Sequence, residues 1–529
     1  MLHKTDSLIS RNSDKPTTCC AARRHTRVLL VNSVSIRLRC YAGIDLKEDE
    51  CNNNIYNLNS IEDKMDTNGK TEPGLKENNN RTSVNGTHCF KVLVGTLVHS
   101  TREDPMVILT DKALGVLDSK IKFVAEADQL EELQTQYGFP DSAVTRLSNR
   151  QFVMPGLVDT HIHASQFPNN GLKMDLPLLE WLQKYTFPTE ATFADVKFAS
   201  HVYPRVVDRT LRNGTTTASY FATAHLESTK ILVNAVATRG QRALVGKVNM
   251  TQNCPPNYRE DSVKQSIQET EQLITYVNNI KNPLVSAIVT PRFAPTCPED
   301  QMTELGQLAA RHSTHIQTHM SETRPEVAWV KELFPHRTNY CDVYNQAGLL
   351  TRKTILAHCI WLSEEELEVM SRMEAGVSHC PSSNLNLISG LCDVRRLLHH
   401  GIKVSLGTDC SGGYSPSILD ALRRALHVSR CLTIHDSDQH PNPLTLREAF
   451  RLATLGGAQV VDMEDRIGNL EVGKEFDALV IDTEATGSPL DIFDKDKEPD
   501  IVEKFLYNGD DRNIVQVFVA GRCVVQNSE

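Results

Sequence analysis

The chain has 529 residues, 40% of them apolar and 23% charged, with a formal net charge of -10. That length suggests a large domain plus at least one smaller one, and the apolar fraction is enough to fill a sizeable core. The acidic balance argues against a nucleic-acid partner, and no apolar run reaches the 18 residues a membrane span needs.

Residues 1–88 differ from the rest. Residues 1–44 carry eight Lys/Arg and two Asp, and residues 45–88 are rich in Asn, Asp, Glu and Lys. Neither part holds sustained apolar periodicity, so disorder is expected. The basic part has some character of a mitochondrial transit peptide, but Asp6 and Asp14 spoil the acid-poor signature and favour an untargeted extension. From Phe90 the pattern turns strand-like, at Phe90–Val98, Ala113–Leu117 and Ile121–Ala127, punctuated by Gly95, Gly115 and Asp118. Between them and the C-terminus, strands are predicted at Val153–Asp159, Thr215–Phe221, Ala243–Val248, Val285–Pro291, His315–His319, Thr354–His358, Val377–His379 and Val404–Asp409. Amphipathic helical stretches separate them, among them Ala194–Arg212, Ser262–Asn279, Pro298–His312, Ser363–Glu374 and Pro416–Arg430. Eight strand–helix alternations predict an α/β (β/α)8 TIM barrel over 154–455. The end of the chain reads as strands again, at Ala478–Ile481 and Val515–Val525. Residues 89–153 and 456–529 are therefore expected to form one small β-sandwich built from both termini. The 14 cysteines include no Cys-x-x-Cys pair and read as reduced, which points to the cytoplasm.

Active sites of such barrels lie at the C-terminal ends of the strands. The first strand runs into Asp159-Thr160-His161-Ile162-His163, and side chains two apart on a strand share a face, so His161 and His163 point together. His319, His358 and Asp409 end three further strands. A single histidine at a strand end is ordinarily a hydrogen-bonded structural residue, and Asp409 would also suit a helix cap. Convergence of four histidines and an aspartate on one rim favours a metal site. Three histidines and a carboxylate suit one Zn²⁺ per chain, whose bound water titrates near neutrality. Glu322, three residues after His319, is the candidate general acid–base group; otherwise it is a first-turn helix carboxylate.

Several stretches resemble the guanine deaminases of the amidohydrolase superfamily. They are Pro155-Gly156-Leu157-Val158-Asp159-Thr160-His161-Ile162-His163-Ala164-Ser165-Gln166, Asp175-Leu176-Pro177-Leu178-Leu179-Glu180-Trp181-Leu182, Asn213-Gly214-Thr215-Thr216-Thr217, Thr290-Pro291-Arg292-Phe293 and His379-Cys380-Pro381-Ser382-Ser383-Asn384-Leu385. Leu406-Gly407-Thr408-Asp409, Arg451-Leu452-Ala453-Thr454-Leu455-Gly456-Gly457 and Gly473-Lys474-Glu475-Phe476-Asp477-Ala478 complete the set. The likeness runs from about Phe90 to near the C-terminus. It implies hydrolysis of guanine at carbon 2 to xanthine and ammonia, by water activated on the metal. Its metal ligands would be His161, His163, His319 and Asp409, with His358 either a ligand or bonded to the metal's water. Glu322, His358 and Asp409 would be catalytic. Gln166, Trp181, Leu182, Arg292 and Phe293, with His319, Glu322 and Asp409, would hold the purine.

The chemistry agrees with that assignment. A guanidinium offers paired donors to the 6-carbonyl and ring nitrogen 7 of guanine, and Gln166 offers both donor and acceptor to the amidine edge. Arg292 would otherwise be a salt-bridge residue, and Trp181 a core residue. The family also implies a homodimer. Two other readings stand beside this one: a related deaminase acting on a pterin, adenosine-like or triazine ring, and a non-catalytic scaffold, which a complete ligand set argues against. The zinc deaminases built on His-x-Glu and Cys-x-x-Cys are excluded by the missing cysteine pair.

Overall fold

The computed structural model describes residues 90–527; the expectations on residues 1–88 lie outside the described residues. The described residues begin with five strands: β1 (Phe90–His99), β2 (Val107–Leu117), β3 (Lys120–Glu126), β4 (Val144–Arg146) and β5 (Gln151–Pro155). Eight strands then form a parallel barrel: β6 (Leu157–His163), β7 (Thr215–Phe221), β8 (Arg242–Gly246), β10 (Val285–Pro291), β11 (His315–Met320), β12 (Thr354–His358), β13 (Gly376–His379) and β14 (Lys403–Leu406). A two-residue strand, β9 (Val248–Asn249), pairs with the end of β10. Three last strands, β15 (Ala478–Asp482), β16 (Ile514–Val519) and β17 (Arg522–Gln526), return to the first sheet.

The barrel strands follow one another in sequence order. The ring closes where the loop after β14 meets β6: Asp409 N donates to His161 O at 2.8 Å and His163 N to Cys410 O at 3.1 Å. Closure and assembly of the polar rim are thus one event, because the closing bonds involve His161, His163 and Asp409. Gly407 permits this approach, since a Cβ there would stand 2.9 Å from the His161 Cβ and 2.5 Å from Ser378 Oγ. Several helices between strands begin at side-chain caps, among them Asp195, Ser262, Thr323 and Ser363, each accepting a backbone N–H of the first turn.

The terminal strands form a single sheet in the order β17-β16-β15-β5-β1-β2-β3, with β4 beside β1. The sheet curls until the start of β3 meets the segment before β15: Phe476 N donates to Ser119 O and Ile121 N to Lys474 O. Leu93, Leu114, Val116, Ile121, Val153, Phe476, Val480 and Phe518 pack inside the curl. The two layers of the expected sandwich are therefore halves of one sheet.

Three predicted strands are corrected. Val404–Asp409 is strand β14 only as far as Leu406, which puts Asp409 in the loop that follows rather than at the strand's end. Val153–Asp159 is two strands, β5 in the terminal sheet and β6 in the barrel, divided at Gly156, whose N–H donates to Asp477 O at 2.9 Å. Both halves are buried, so their apolar run is continuous and carries no mark of the change of sheet. Val515–Val525 is the hairpin β16–β17, turning at Ala520 and Gly521, both at positive φ. Arg242 at the start of β8, 1% exposed, joins barrel to terminal sheet through Asp477 (2.9 and 3.0 Å) and Glu475 (2.7 Å). Among the described residues no helix is long and apolar enough to cross a membrane.

Candidate active site

His161 and His163 leave β6 on one side, both buried, and meet His319 from β11, His358 from β12 and Asp409 after β14. His161 Nε2 lies 3.1 Å and His163 Nε2 3.5 Å from Asp409 Oδ1, and His163 Nε2 lies 3.1 Å from His319 Nε2. Donor atoms of His161, His319, His358 and Asp409 all fall within 4.8 Å of one another. The set fits a divalent metal ion. Two ligands at Zn–N distances, set at the tetrahedral angle, stand about 3.3 Å apart. Nε2 of His161 and of His358 are buried without a hydrogen-bond partner. His319 Nδ1 lies 2.6 Å from the carbonyl of Arg292 and His358 Nδ1 lies 2.8 Å from Asn384 Oδ1. Each acceptor fixes the proton on Nδ1 and turns Nε2 towards the cluster. His358 and Asp409 hold positive φ of 72° and 45°, backbone strain of the kind that collects at functional sites.

Burial lowers the pKa of His161, His163 and His319, the direction that favours lone pairs for a metal. Burial works against ionisation of Asp409 too, yet the facing imidazoles of His161, His358 and His163 hold its carboxyl well below the usual carboxylate range. His358 differs: burial lowers it, but the carboxylates of Glu322 and Asp409 more than offset that and raise it. Its Nε2 lies 3.6 Å from Glu322 Oε2 and 3.8 Å from Asp409 Oδ2. Glu322 is 4% exposed and accepts a hydrogen bond from Ser389 Oγ at 2.9 Å; burial pushes it up to about 7. A carboxyl poised near neutrality can both give and take a proton. It precedes the helix Arg324–Leu333, whose first-turn carboxylate is Glu326.

A cleft opens above this cluster. His163, His319, Glu322, His358 and Asp409 line it, together with Gln166, Trp181, Leu182, Arg292 and Phe293. Every residue expected to hold a purine thus faces the cleft. His161 stands behind that lining. Trp181 is at once core and lining, only 2% exposed.

Sequence reasoning missed several neighbours. Arg292 does make a salt bridge, as one reading held, alongside its place in the cleft lining: the fully buried Glu190 accepts its Nη1–H at 2.5 Å and its Nη2–H at 3.2 Å. Gln166 Nε2 donates to the same carboxylate at 2.9 Å. Glu190 belongs to a buried stripe with Phe187 and Phe193, and a carboxylate on an apolar helix stripe was its only local signal. Glu326, also lining the cleft, accepts from Glu322 N at 2.9 Å and from Tyr340 Oη at 2.9 Å. Asp159, fully buried and pushed up to about 7 by burial, accepts from Thr408 N, Thr408 Oγ1 and His161 N, and so ties the Asp409 loop to β6.

The sequence model of the amidohydrolase family matches residues 152–524. A guanine deaminase of Mus musculus is 51% identical over 440 residues, covering 82% of this chain and 96% of the mouse protein. A guanine deaminase of Homo sapiens is 50% identical over 444 residues, covering 83% and 96%. Among solved structures, a guanine deaminase from C. acetobutylicum with guanine bound in its active site superposes with a TM-score of 0.75 at 35% identity, covering 82% of this chain and 100% of that one.

Proposed function

The chain belongs to the amidohydrolase family and, within it, to the guanine deaminases, and we propose from that membership and from the cleft that it hydrolyses guanine to xanthine and ammonia. The observation that carries the reading is one cleft with two chemistries. The imidazoles and carboxylates of the cluster line the same cleft as a guanidinium and a carboxamide that match the polar edge of guanine.

His161, His163, His319 and Asp409 would hold a zinc ion, with His358 as a further ligand or facing the attacking water. Such an ion supplies a water acidified towards neutrality and an electrophilic partner for charge developing at carbon 2. Asp409, kept ionised, accepts a proton from the attacking water. Glu322 donates a proton to ring nitrogen 3 and then relays a second to the departing amine. His358, facing both carboxylates, steadies the tetrahedral intermediate. Arg292 faces the 6-oxygen and nitrogen 7, Gln166 the amidine edge, and Trp181, Leu182 and Phe293 exclude water from the ring. The family resemblance carries a homodimer with it, and the nine described cysteines, all unpaired, support the cytoplasm.

The test is absorbance-followed deamination of guanine against adenosine, pterin and triazine amines, with metal analysis on the same sample. Guanine turnover with one zinc per chain supports the reading. Preference for another ring, or full activity without metal, refutes it.

A further inference from the structure

Glu190 lies on the helical segment Phe187–Ala191, which continues the segments Leu178–Trp181 and Leu182–Thr186. The middle segment is a π turn, a feature that recurs at functional sites. One run of chain therefore brings Trp181 and Leu182 to the cleft and, a little over two turns later, a fully buried carboxylate to the arginine behind its lining. We propose that Glu190 is a positioning residue for substrate recognition, which fixes the orientation of both polar groups that read the guanine edge, Arg292 and Gln166. The proposal rests on the reading that those two side chains face the purine.

The carboxylate has only acceptors to offer. It takes one N–H from each terminal nitrogen of Arg292, which fixes the rotation of the guanidinium and leaves three of its five N–H groups for other partners. Phe187, three residues earlier and so on the same helix face, puts its ring 4.9 Å from the guanidinium carbon. One helical turn therefore sets both the plane and the roll of Arg292. Glu190 Oε1 also takes the Gln166 Nε2 proton, and Gln166 Oε1 accepts from Ser411 N at 3.4 Å. Because an ionised carboxylate cannot donate, only the NH₂ end of Gln166 can face it, and the amide is held in one of its two orientations. A neutral glutamine at 190 would remove that constraint, since either end of Gln166 finds a partner in an amide.

The competing account is that Glu190 only neutralises a buried arginine. Substrate discrimination separates the two. The experiment compares kcat/KM for guanine and for 2-aminopurine, which is guanine without its 6-oxygen, in wild type, Glu190→Gln, Glu190→Asp and Arg292→Ala, at a temperature where thermal melts show each folded. Glu190→Gln should lose about 10–100-fold on guanine. The loss should fall in KM rather than kcat, because Glu190 touches no reacting atom. The 2-aminopurine value should fall by a smaller factor, because that substrate keeps the amidine edge facing Gln166 and lacks the oxygen facing Arg292. Glu190→Asp keeps the charge one methylene back and should fall between. If Glu190→Gln yields no folded protein, the Asp variant reads the same ratio. Equal losses on both substrates, or no loss on either, overturn the proposal. If Arg292→Ala shifts the ratio while both Glu190 variants leave it unchanged, the proposal alone fails. If Arg292→Ala leaves the ratio unchanged, the reading of the cleft fails and takes the proposal with it.

Discussion

Replacing Glu322 by Gln tests the site through two quantities that move in opposite directions. Gln has the same shape, and its Oε1 can still accept the Ser389 Oγ bond, so the cleft should keep its form. What it loses is the exchangeable proton. General acid–base groups contribute about 100- to 10,000-fold, so kcat should fall by that factor while metal per chain stays at the wild-type value. Stability of the metal-free protein should respond the other way. Burial raises the Glu322 carboxyl from its ordinary 4.5 to about 7. Between those values the folded protein keeps a proton that the unfolded chain has lost, so the wild type loses stability as pH rises through this window, by about 3 kcal/mol when complete. Glutamine cannot ionise and escapes the loss. Glu322→Gln and wild type should therefore denature alike near pH 4, and the variant should be the more stable above pH 7. Denaturant titrations at several pH values, beside steady-state deamination rates, measure both. A variant within threefold of wild-type kcat removes Glu322 from proton transfer. A stability difference that does not change with pH refutes the buried, raised carboxyl.

Three further substitutions or treatments address other parts of the site. His161→Ala should lose metal and activity together, because a site short of one of its few nitrogen donors loses most of its affinity; stoichiometric metal in the purified variant would count against the assignment. Arg292→Ala should lower guanine kcat/KM by about 10–150-fold, the worth of a buried charge-assisted hydrogen bond. It should leave metal content unchanged, since the carbonyl rather than the guanidinium of Arg292 meets His319 Nδ1; reduced metal per chain would contradict that division. Chelation should abolish guanine turnover and readdition of Zn²⁺ should restore it, and turnover that survives with no measurable metal refutes the metal site. Away from the cleft, Arg242→Ala leaves the buried Asp477 without its cation, while Glu475 keeps Arg466, and should cost about 3–5 kcal/mol in denaturant unfolding. A cost below about 1 kcal/mol would show the cluster to be dispensable.

The barrel was legible because its signal is repeated. Eight apolar runs separated by amphipathic helices leave few architectures open, and small errors at their ends do not change the count. The predicted His315–His319 differs from β11 by one residue, and Val285–Pro291 matches β10. The failures sit where periodicity carries no information. From Val153 to Asp159 every residue is buried, though the chain leaves one sheet and enters another at Gly156. The closing contact of the barrel was invisible for a related reason: His161 and Asp409 are 248 positions apart and meet through main-chain bonds, which leave no trace in residue type.

The site divides along the same line. His161, His163, His319, His358 and Asp409 announce themselves because an apolar strand that ends in an ionisable residue is out of keeping with its own pattern. Glu190 breaks its pattern too, being a carboxylate on a buried stripe, but a single polar residue on a helix face has many ordinary explanations, and five at the ends of barrel strands do not. What gives Glu190 meaning is its pairing with Arg292, a residue 102 positions later on another element. A buried guanidinium must be paired, so the arginine implied a carboxylate somewhere in the wall. The sequence held several candidates, and only the fold decides which of them reaches the arginine. The residues that carry out chemistry at strand ends are thus readable one at a time, whereas the residues that orient them are readable only in pairs, and pairs at this separation exist only after folding.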